Sequence, residues 1–456
     1  MDQELKSRII KQALQHNVQL DPRIFDLLEV SKDVNEVMDV VMNIIDNNAS
    51  INIPKFVGVD LVRDILKNKQ LLPRRVEVNI TPLRNFSSEI RSDIAQSKYS
   101  ELLKDRIKQA NSLFKSHVNF RGVVPIASLD KVSDKSFSKV CGLVLEKYFK
   151  KNHVVFNVED LTGVIEVIVP YDVYYKYGEV LLDECVLFEV QKEKEGVLCK
   201  RFFHIDVGDL VKNTCESDIH VAFLSNLNVG SKKFDIESWA RFVSWINGNF
   251  GDKDVIDSLE LLVIVGDLID VEDSSLTREE AYEKAAHLLS ELPPRMKILI
   301  IPGDKDASSF YLPQIPIMRA LSKPLYNLKN VQMEGNPFYF SINGVKILLF
   351  HGQSLDGVSK QIRNNTSSAG LMSMLLRARH LAPTVSNSWF ELLSSNDTLF
   401  INDVPNIFVC GHLSQKDIGY YKGILLVSLP SWTNDQDTIG GRCAVVNLRT
   451  FEVLWR

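Results

Sequence analysis

Leu261-Leu262-Val263-Ile264-Val265-Gly266-Asp267-Leu268-Ile269-Asp270 is the stretch that decides how the rest of this chain is read. Its five apolar residues in a row, β-branched at the centre, form the pattern of a strand buried on both faces. Gly266 breaks the run, and Asp267 stands where the strand should end. In open α/β sheets, sites are built at the carboxyl ends of the strands. A Gly-Asp pair after a strand is often only a turn. It gains weight here from four other polar signals that follow short apolar runs: Ser225-Asn226-Leu227-Asn228, Pro302-Gly303-Asp304-Lys305-Asp306, His351-Gly352 and Gly411-His412-Leu413-Ser414.

At 456 residues the chain has room for two or three domains. Its 45% hydrophobic and 24% charged residues are ordinary globular values. No apolar run approaches the ~20 residues of a membrane span. Met1-Asp2-Gln3-Glu4-Leu5 is not a signal-peptide start, so an intracellular, cytoplasmic protein is expected. The net charge of −5 gives the molecule no general attraction to nucleic acid, so any contact must come from local patches. Cys141, Cys185, Cys199, Cys215, Cys410 and Cys443 form no CxxC pair and read as thiols in a reducing compartment, not as zinc ligands.

Residues 1–67 read as a helical module. Leu5, Ile9 and Ala13 share a stripe, as do Val34, Val37, Val41 and Ile45, while Phe56, Val59, Leu61, Val62 and Leu66 are placed to face a common core. The module carries no catalytic constellation, and a docking or structural role is the plain reading. Residues 68–116 read as a linker and then a helix, with Leu103, Ile107, Ala110 and Phe114 on one side. From 117 to 210 the period becomes two. Four or five short strands, with a helix around 171–182 between the third and fourth, fit an OB-type β-barrel. Tyr148, Phe149, Lys150, Lys151, Lys200, Arg201, Phe202 and Phe203 would supply a single-strand-binding groove. The plain alternative puts these aromatics in the core and the lysines on a solvated rim.

Residues 215–456 alternate apolar runs with helical stripes, the mark of a layered α/β domain. Strands over 221–224, 261–265, 296–301, 345–350 and 407–410 each deliver polar residues at one end. Such an arrangement gathers ligands from distant sequence into one site. Asp, Asn and His are a ligand set for Mn, Fe or Zn, and two such ions about 4 Å apart suit phosphoester hydrolysis.

The order and spacing of these signals resemble the calcineurin-like metallophosphoesterases, whose motifs run D-x-H, GD, GN-H-D or E, H, and GH-x-H. The resemblance covers residues 219–456. Leu224-Ser225-Asn226-Leu227-Asn228-Val229-Gly230-Ser231-Lys232-Lys233-Phe234 resembles the S-D-x-H-x-G-S-K-x-F signature of the small, B-type subunit of archaeal family D DNA polymerase. His351-Gly352-Gln353-Ser354-Leu355-Asp356 and Arg379-His380-Leu381-Ala382-Pro383 are similar to that subunit too. So is the layout: a metallophosphoesterase-type layered α/β sandwich, preceded by an OB-type barrel and an N-terminal helical module.

The departures from the family pattern bear on activity. In the family one ion takes the Asp and His of the first motif, the bridging Asp of the second and the last His; those positions here are Asn226, Asn228, Asp267 and Ser414. The other ion's positions here are Asp267, Asp304, His351 and His412, all able to ligate. Where the family places a His to assist the leaving group, this chain has Lys305, whose ammonium is suited to stand in for the missing ion. The resemblance therefore implies half a site, holding one divalent metal (Mn, Fe or Zn) and no paired clamp. Ser217-Asp218-Ile219-His220 spells an intact D-x-H, but it precedes the strand at 221–224 and the motif belongs at the strand's far end. His380 suits a structural role as well as contact with substrate. His16, His117, His153, His204 and His287 have no ligand partners at useful spacing, and of Asp270, Asp306 and Asp356 only Asp306 is expected to orient a ligand.

The resemblance implies an accessory subunit of a two-subunit replicative DNA polymerase, with its own 3′–5′ exonuclease site decayed. Its partners would be a large catalytic subunit, DNA as part of the complex, and a sliding clamp, although no Q-x-x-Φ-x-x-aromatic-aromatic peptide is found. Such a subunit would be nucleoid-associated. Three rival readings are an active proofreading exonuclease, which requires a second metal, a stand-alone phosphoesterase, which would not need the barrel, and a pure scaffold.

Overall fold

The computed structural model describes residues 3–15, 18–26, 38–42, 45, 55–57, 62, 78–89, 98–115, 120–193, 196–209, 213–363, 365–384, 396–434 and 442–456. The chain divides into two compact units, Met1–Glu77 and Val78–Arg456. In the first, helix α1 (Gln3–Gln15) buries Ile9 and Ala13, as the stripe predicts. Strands β1 (Val18–Leu20) and β2 (Lys55–Val57) pair in parallel, which corrects the helical reading of 1–67. Three-residue strands are too short to register a period. Val41, Ile45 and Val62 are buried, while Val34, Val37, Val59, Leu61 and Leu66 lie outside the described residues.

The second unit opens with a further correction. Ile80–Asn85, inside the expected linker, is strand β3 at the edge of a six-stranded sheet. It contains Pro82 and polar residues, which an edge strand tolerates and a buried strand does not. Helix α2 (Lys98–Phe114) then buries Leu103, Ile107, Ala110 and Phe114 as expected.

The barrel consists of β4 (Phe137–Phe149), β5 (His153–Asp160), β6 (Gly163–Pro170), β7 (Cys185–Glu193) and β8 (Gly196–His204). It closes in the order β4-β5-β6-β8-β7, with β6 and β8 parallel and β7 back on β4, the OB-type connectivity. Helix α3 (Tyr171–Tyr177) links β6 to β7 and stops early, at Gly178 with φ +94°. Phe156, Phe188 and Phe202 are fully buried in the barrel. Arg201 is paired with Glu189 at 2.6 Å. Across the outer face of β4, β5 and β6, Glu146, Asn157 and Glu166 stand opposite one another. The expected basic, aromatic groove therefore loses Phe202 to the core and gains acidic neighbours.

Two six-stranded sheets form the layered domain. The first has the order β12-β11-β10-β9-β18-β19: β9 (His220–Leu224), β10 (Leu259–Val265), β11 (Lys297–Ile301) and β12 (Val331–Met333) run parallel, and β18 (Ala444–Asn447) and β19 (Val453–Trp455) complete it. The second has the order β16-β17-β15-β14-β13-β3, with β13 (Phe338–Ile342), β14 (Val345–Phe350), β15 (Ile407–Cys410), β16 (Asp417–Tyr421) and β17 (Ile424–Ser428). Ala222, Leu224, Leu262 and Ile264 pack under helices α4 (Ile236–Ile246) and α5 (Arg278–Ser290); Leu348, Phe350 and Phe408 pack under α6 (Ser368–Ala378). The alternate residues Val221, Phe223, Val263, Leu349 and Val409 are also fully buried, so each sheet is covered on both faces. All six cysteines are buried and unpaired. Among the described residues no helix is long and apolar enough to cross a membrane.

A buried ion pair fastens the barrel to the layered domain through α2. Arg106, 1% exposed, donates from Nε to Asp397 Oδ2 at 2.5 Å and from Nη1 to the carbonyls of Asp183, just before β7, and Pro383. His380 Nε2 donates to Asp397 Oδ1 at 2.8 Å, and its Nδ1 accepts the Ala382 N–H. Burial and the nearby Arg106 hold the His380 imidazole down to about 4. Burial would raise the Asp397 carboxyl, but Arg106 and His380 outweigh it and keep it well below the usual carboxylate range. Unfolded chains take up protons at both groups before the folded chain does, so this cluster stabilises the fold near neutrality and loses that contribution as pH falls through and below the ordinary imidazole range. Arg106→Ala is expected to cost about 3–5 kcal/mol by leaving a buried carboxylate unpaired, read by urea unfolding. The wild-type melting temperature should fall between pH 6.5 and 4, and more shallowly in a His380→Gln variant.

Candidate functional site

The site lies where the carboxyl ends of β9, β10, β11, β14 and β15 converge, lining a cleft of about 440 Å³. Its backbone is strained. Asn226, Asn228, Asp267, His412 and Ser414 all take left-handed φ, between 42° and 53°. Such residues persist only where the surroundings impose them, and they cluster at functional sites. The imposing contacts are between strand ends. Asn226 N–H donates to the Gly266 carbonyl, Asn228 N–H to the Asp267 carbonyl, and Gly411 N–H to the His351 carbonyl.

Asp304, His351 and His412 bring one ligand atom each within 4.8 Å of one another. His351 is fully buried. Its Nδ1–H donates to the Val265 carbonyl at 3.0 Å, which turns Nε2 into the site without a hydrogen-bond partner, 3.5 Å from Asp267 Oδ1. Asp304 Oδ1 is likewise buried and unpartnered. His412 lies between two carboxylates, with Nδ1 3.2 Å from Asp304 and Nε2 3.0 Å from Asp356. Burial alone would lower its pKa, but the two carboxylates push it up to about 10. Asp267 is held down to about 2: burial opposes ionisation, and His351 with the Lys305 N–H and ammonium outweighs it. A buried imidazole nitrogen and a buried carboxylate oxygen, neither with a hydrogen-bond partner, fit a divalent ion.

The other half of the cleft is closed by its own hydrogen bonds. Asn226 Nδ2 donates to Ser414 Oγ at 2.8 Å, and Asn226 Oδ1 lies 2.5 Å from the Ser225 hydroxyl. Asn228 Nδ2 donates to the Asn226 carbonyl. Lys305 Nζ donates to Asp270 Oδ2 at 2.6 Å and lies 3.3 Å from Asn228 Oδ1. All eight residues singled out in the sequence are thus in or beside one cleft. The Ser217–His220 motif is not. His220 starts β9, at the strand end away from the cleft, with Nδ1 on Ser258 Oγ.

Several supporting groups differ from expectation. Asp306 does orient the site: buried, it accepts the N–H groups of Gly303, Leu268 and Ile269, and burial beside Asp267 pushes it up to about 6. Asp270 and Asp356, not expected to orient a ligand, also touch the functional groups, through Lys305 and His412. His380 belongs to the Arg106 cluster and not to the cleft. Sequence reasoning missed Tyr282, whose hydroxyl bridges Asp306 and the Ala307 N–H, and the buried amides Gln314 and Asn336. Asn336 accepts the His351 N–H, and Gln314 holds the Gly303 carbonyl. The available signal was an amide beside proline, in Pro313-Gln314 and Asn336-Pro337.

Gly266 is required twice over: its φ is +80°, and a Cβ there would overlap His351 Nδ1. Gly248 has φ +83° with nothing within 4 Å of a Cβ. Gly248→Ala is therefore expected to cost only the ~1 kcal/mol of a strained backbone, and Gly266→Ala clearly more, in paired urea-unfolding measurements.

Residues 221–418 match the family that comprises the B subunits of DNA polymerases alpha and epsilon. The DNA polymerase II small subunit of Methanothermobacter thermautotrophicus is 29% identical over 434 residues, covering 90% of this chain and 89% of that protein. That of Archaeoglobus fulgidus is 28% identical over 451 residues, covering 93% and 91%. That of Pyrococcus furiosus is 29% identical over 392 residues, covering 82% of this chain but only 62% of the relative. Alongside a closed OB-type barrel and a layered α/β domain, the chain is thus similar over most of its length to the archaeal DNA polymerase II small subunits.

Proposed function

We propose that this chain is the accessory small subunit of a two-subunit replicative DNA polymerase, carrying a metallophosphoesterase-type site that no longer works as a 3′–5′ exonuclease. The observation that carries this reading is the asymmetry of the cleft. Asn226, Asn228 and Ser414 are occupied with one another, whereas His351 Nε2 and Asp304 Oδ1 are bare. Asp267, Asp304, His351 and His412 would hold one divalent ion, which supplies Lewis acidity. Phosphoester cleavage of this type uses a pair of ions to stabilise both the attacking and the leaving oxygen. The relatives' name, DNA polymerase II small subunit, supports a large polymerising partner. DNA would meet the chain within that complex on the nucleoid, since the net charge of −5 and the Glu146–Glu166 row offer no free-standing groove. A sliding clamp remains a partner by resemblance only.

The test is Mn-dependent degradation of a 3′-mismatched primer by the chain, alone and with its large subunit, beside Asp267→Ala. The expected outcome is a stable complex and no cleavage above that control. Cleavage that disappears in Asp267→Ala would instead establish a working proofreading site.

A further inference from the structure

Lys305 has two separate functions in the cleft. Its backbone N–H holds Asp267 Oδ1 at 3.0 Å, while its ammonium bonds Asp270 Oδ2 at 2.6 Å and Asn228 Oδ1 at 3.3 Å. The ammonium therefore reaches Asn228, one of the positions a cation in that half of the cleft would use, and is anchored by Asp270 beside them. Asn226 adds nothing for a metal, because its amide is spent on Ser225 and Ser414. An ammonium has three N–H groups, and two are used. The Lys305 side chain is 33% exposed on the cleft wall, which leaves the third available to an incoming group. Across the cleft, the fully buried His351 Nε2 and Asp304 Oδ1 have no hydrogen-bond partner.

We infer that the Lys305 ammonium is a built-in replacement for one of the paired cations, so that the cleft takes one divalent ion and, between that ion and the ammonium, a phosphate group that it holds without hydrolysing. The inference rests on the half-site reading above. A fixed ammonium can neutralise phosphate charge and donate to its oxygens, as a metal does. It cannot bind and acidify a water, because an ammonium has no vacant orbital to accept the water's lone pair. Binding thus survives the substitution and catalysis does not. The ligand chemistry is a phosphate dianion, either free or at the end of a nucleic-acid strand.

Isothermal titration of the full chain with Mn²⁺, then with inorganic phosphate, tests this in wild type, Lys305→Met and Asp270→Asn. One ion per chain is expected throughout. Phosphate should bind the Mn-loaded wild type and weaken by about 10- to 100-fold in Lys305→Met, the worth of a hydrogen bond to a charged group. In Asp270→Asn the ammonium loses its competing carboxylate and phosphate should bind more tightly, a gain that a merely damaged fold cannot produce. Two ions per chain would overturn the replacement of metal by Lys305. One ion with equal phosphate affinity in all three proteins would overturn the role of Lys305 alone, and no ion at all would overturn the half-site with it. Competition by a 3′-phosphorylated oligonucleotide, but not its 3′-hydroxyl form, would identify the strand end as the source; competition by neither would identify free phosphate.

Discussion

The bond from His351 to the Val265 carbonyl is the contact on which the functional half of this molecule depends. It joins the end of β14 in one sheet to the end of β10 in the other, and it fixes the imidazole so that Nε2 lies 3.5 Å from Asp267 Oδ1. The sheets can approach this closely only because the crossing points lack side chains. A Cβ on Gly303 would overlap Asp267 Oδ1, and one on Gly411 would overlap Ser225 Oγ. The left-handed residues around the cleft follow from the same geometry. Each strand must turn sharply as it leaves its sheet while its polar side chain stays pointed inward.

Gathering carboxylates at buried strand ends creates an electrostatic problem that the cleft resolves differently on its two sides. On one side Asp304, His351 and His412 converge in an arrangement that a divalent ion would satisfy. On the other, amides and a hydroxyl bond one another, and the Lys305 ammonium is neutralised by Asp270. A half-buried ion pair of this kind needs no external ligand, so this side holds its form without a metal. Its neutral oxygens are also poorer metal ligands than carboxylates.

The barrel and the layered domain are held together by polar chemistry as well as packing. Arg106 reaches a barrel carbonyl and a layered-domain carboxylate at once. Arg363 stacks over Phe149 at 3.6 Å, and Lys147 donates to the Gln361 carbonyl. Residues suited by type to face nucleic acid are therefore partly consumed in this internal seam. The barrel's outer face carries Glu146 and Glu166 in register, which favours protein or solvent over phosphate there.

Much of the fold could be read from the sequence because its signals are local. Period-two runs gave the barrel strands, and the fully apolar run ending in Gly266-Asp267 gave the central parallel strand. Polar residues after apolar runs gave the cleft, since strand ends in parallel sheets all point one way. β3 was hidden because its pairing partner, β13, is about 250 residues away and an edge strand needs no apolar alternation. Gln314, Asn336 and Tyr282 were hidden for a related reason: a buried amide or phenol looks like any surface polar residue until its partners are known. The sequence by itself determined which chemical groups were available: carboxylates and imidazoles at some strand ends, amides and a hydroxyl at others. Only the tertiary structure decided that Lys305 turns to Asp270 and Asn228 while His351 Nε2 stays bare, because those outcomes depend on distances between loops that meet only when the two sheets do.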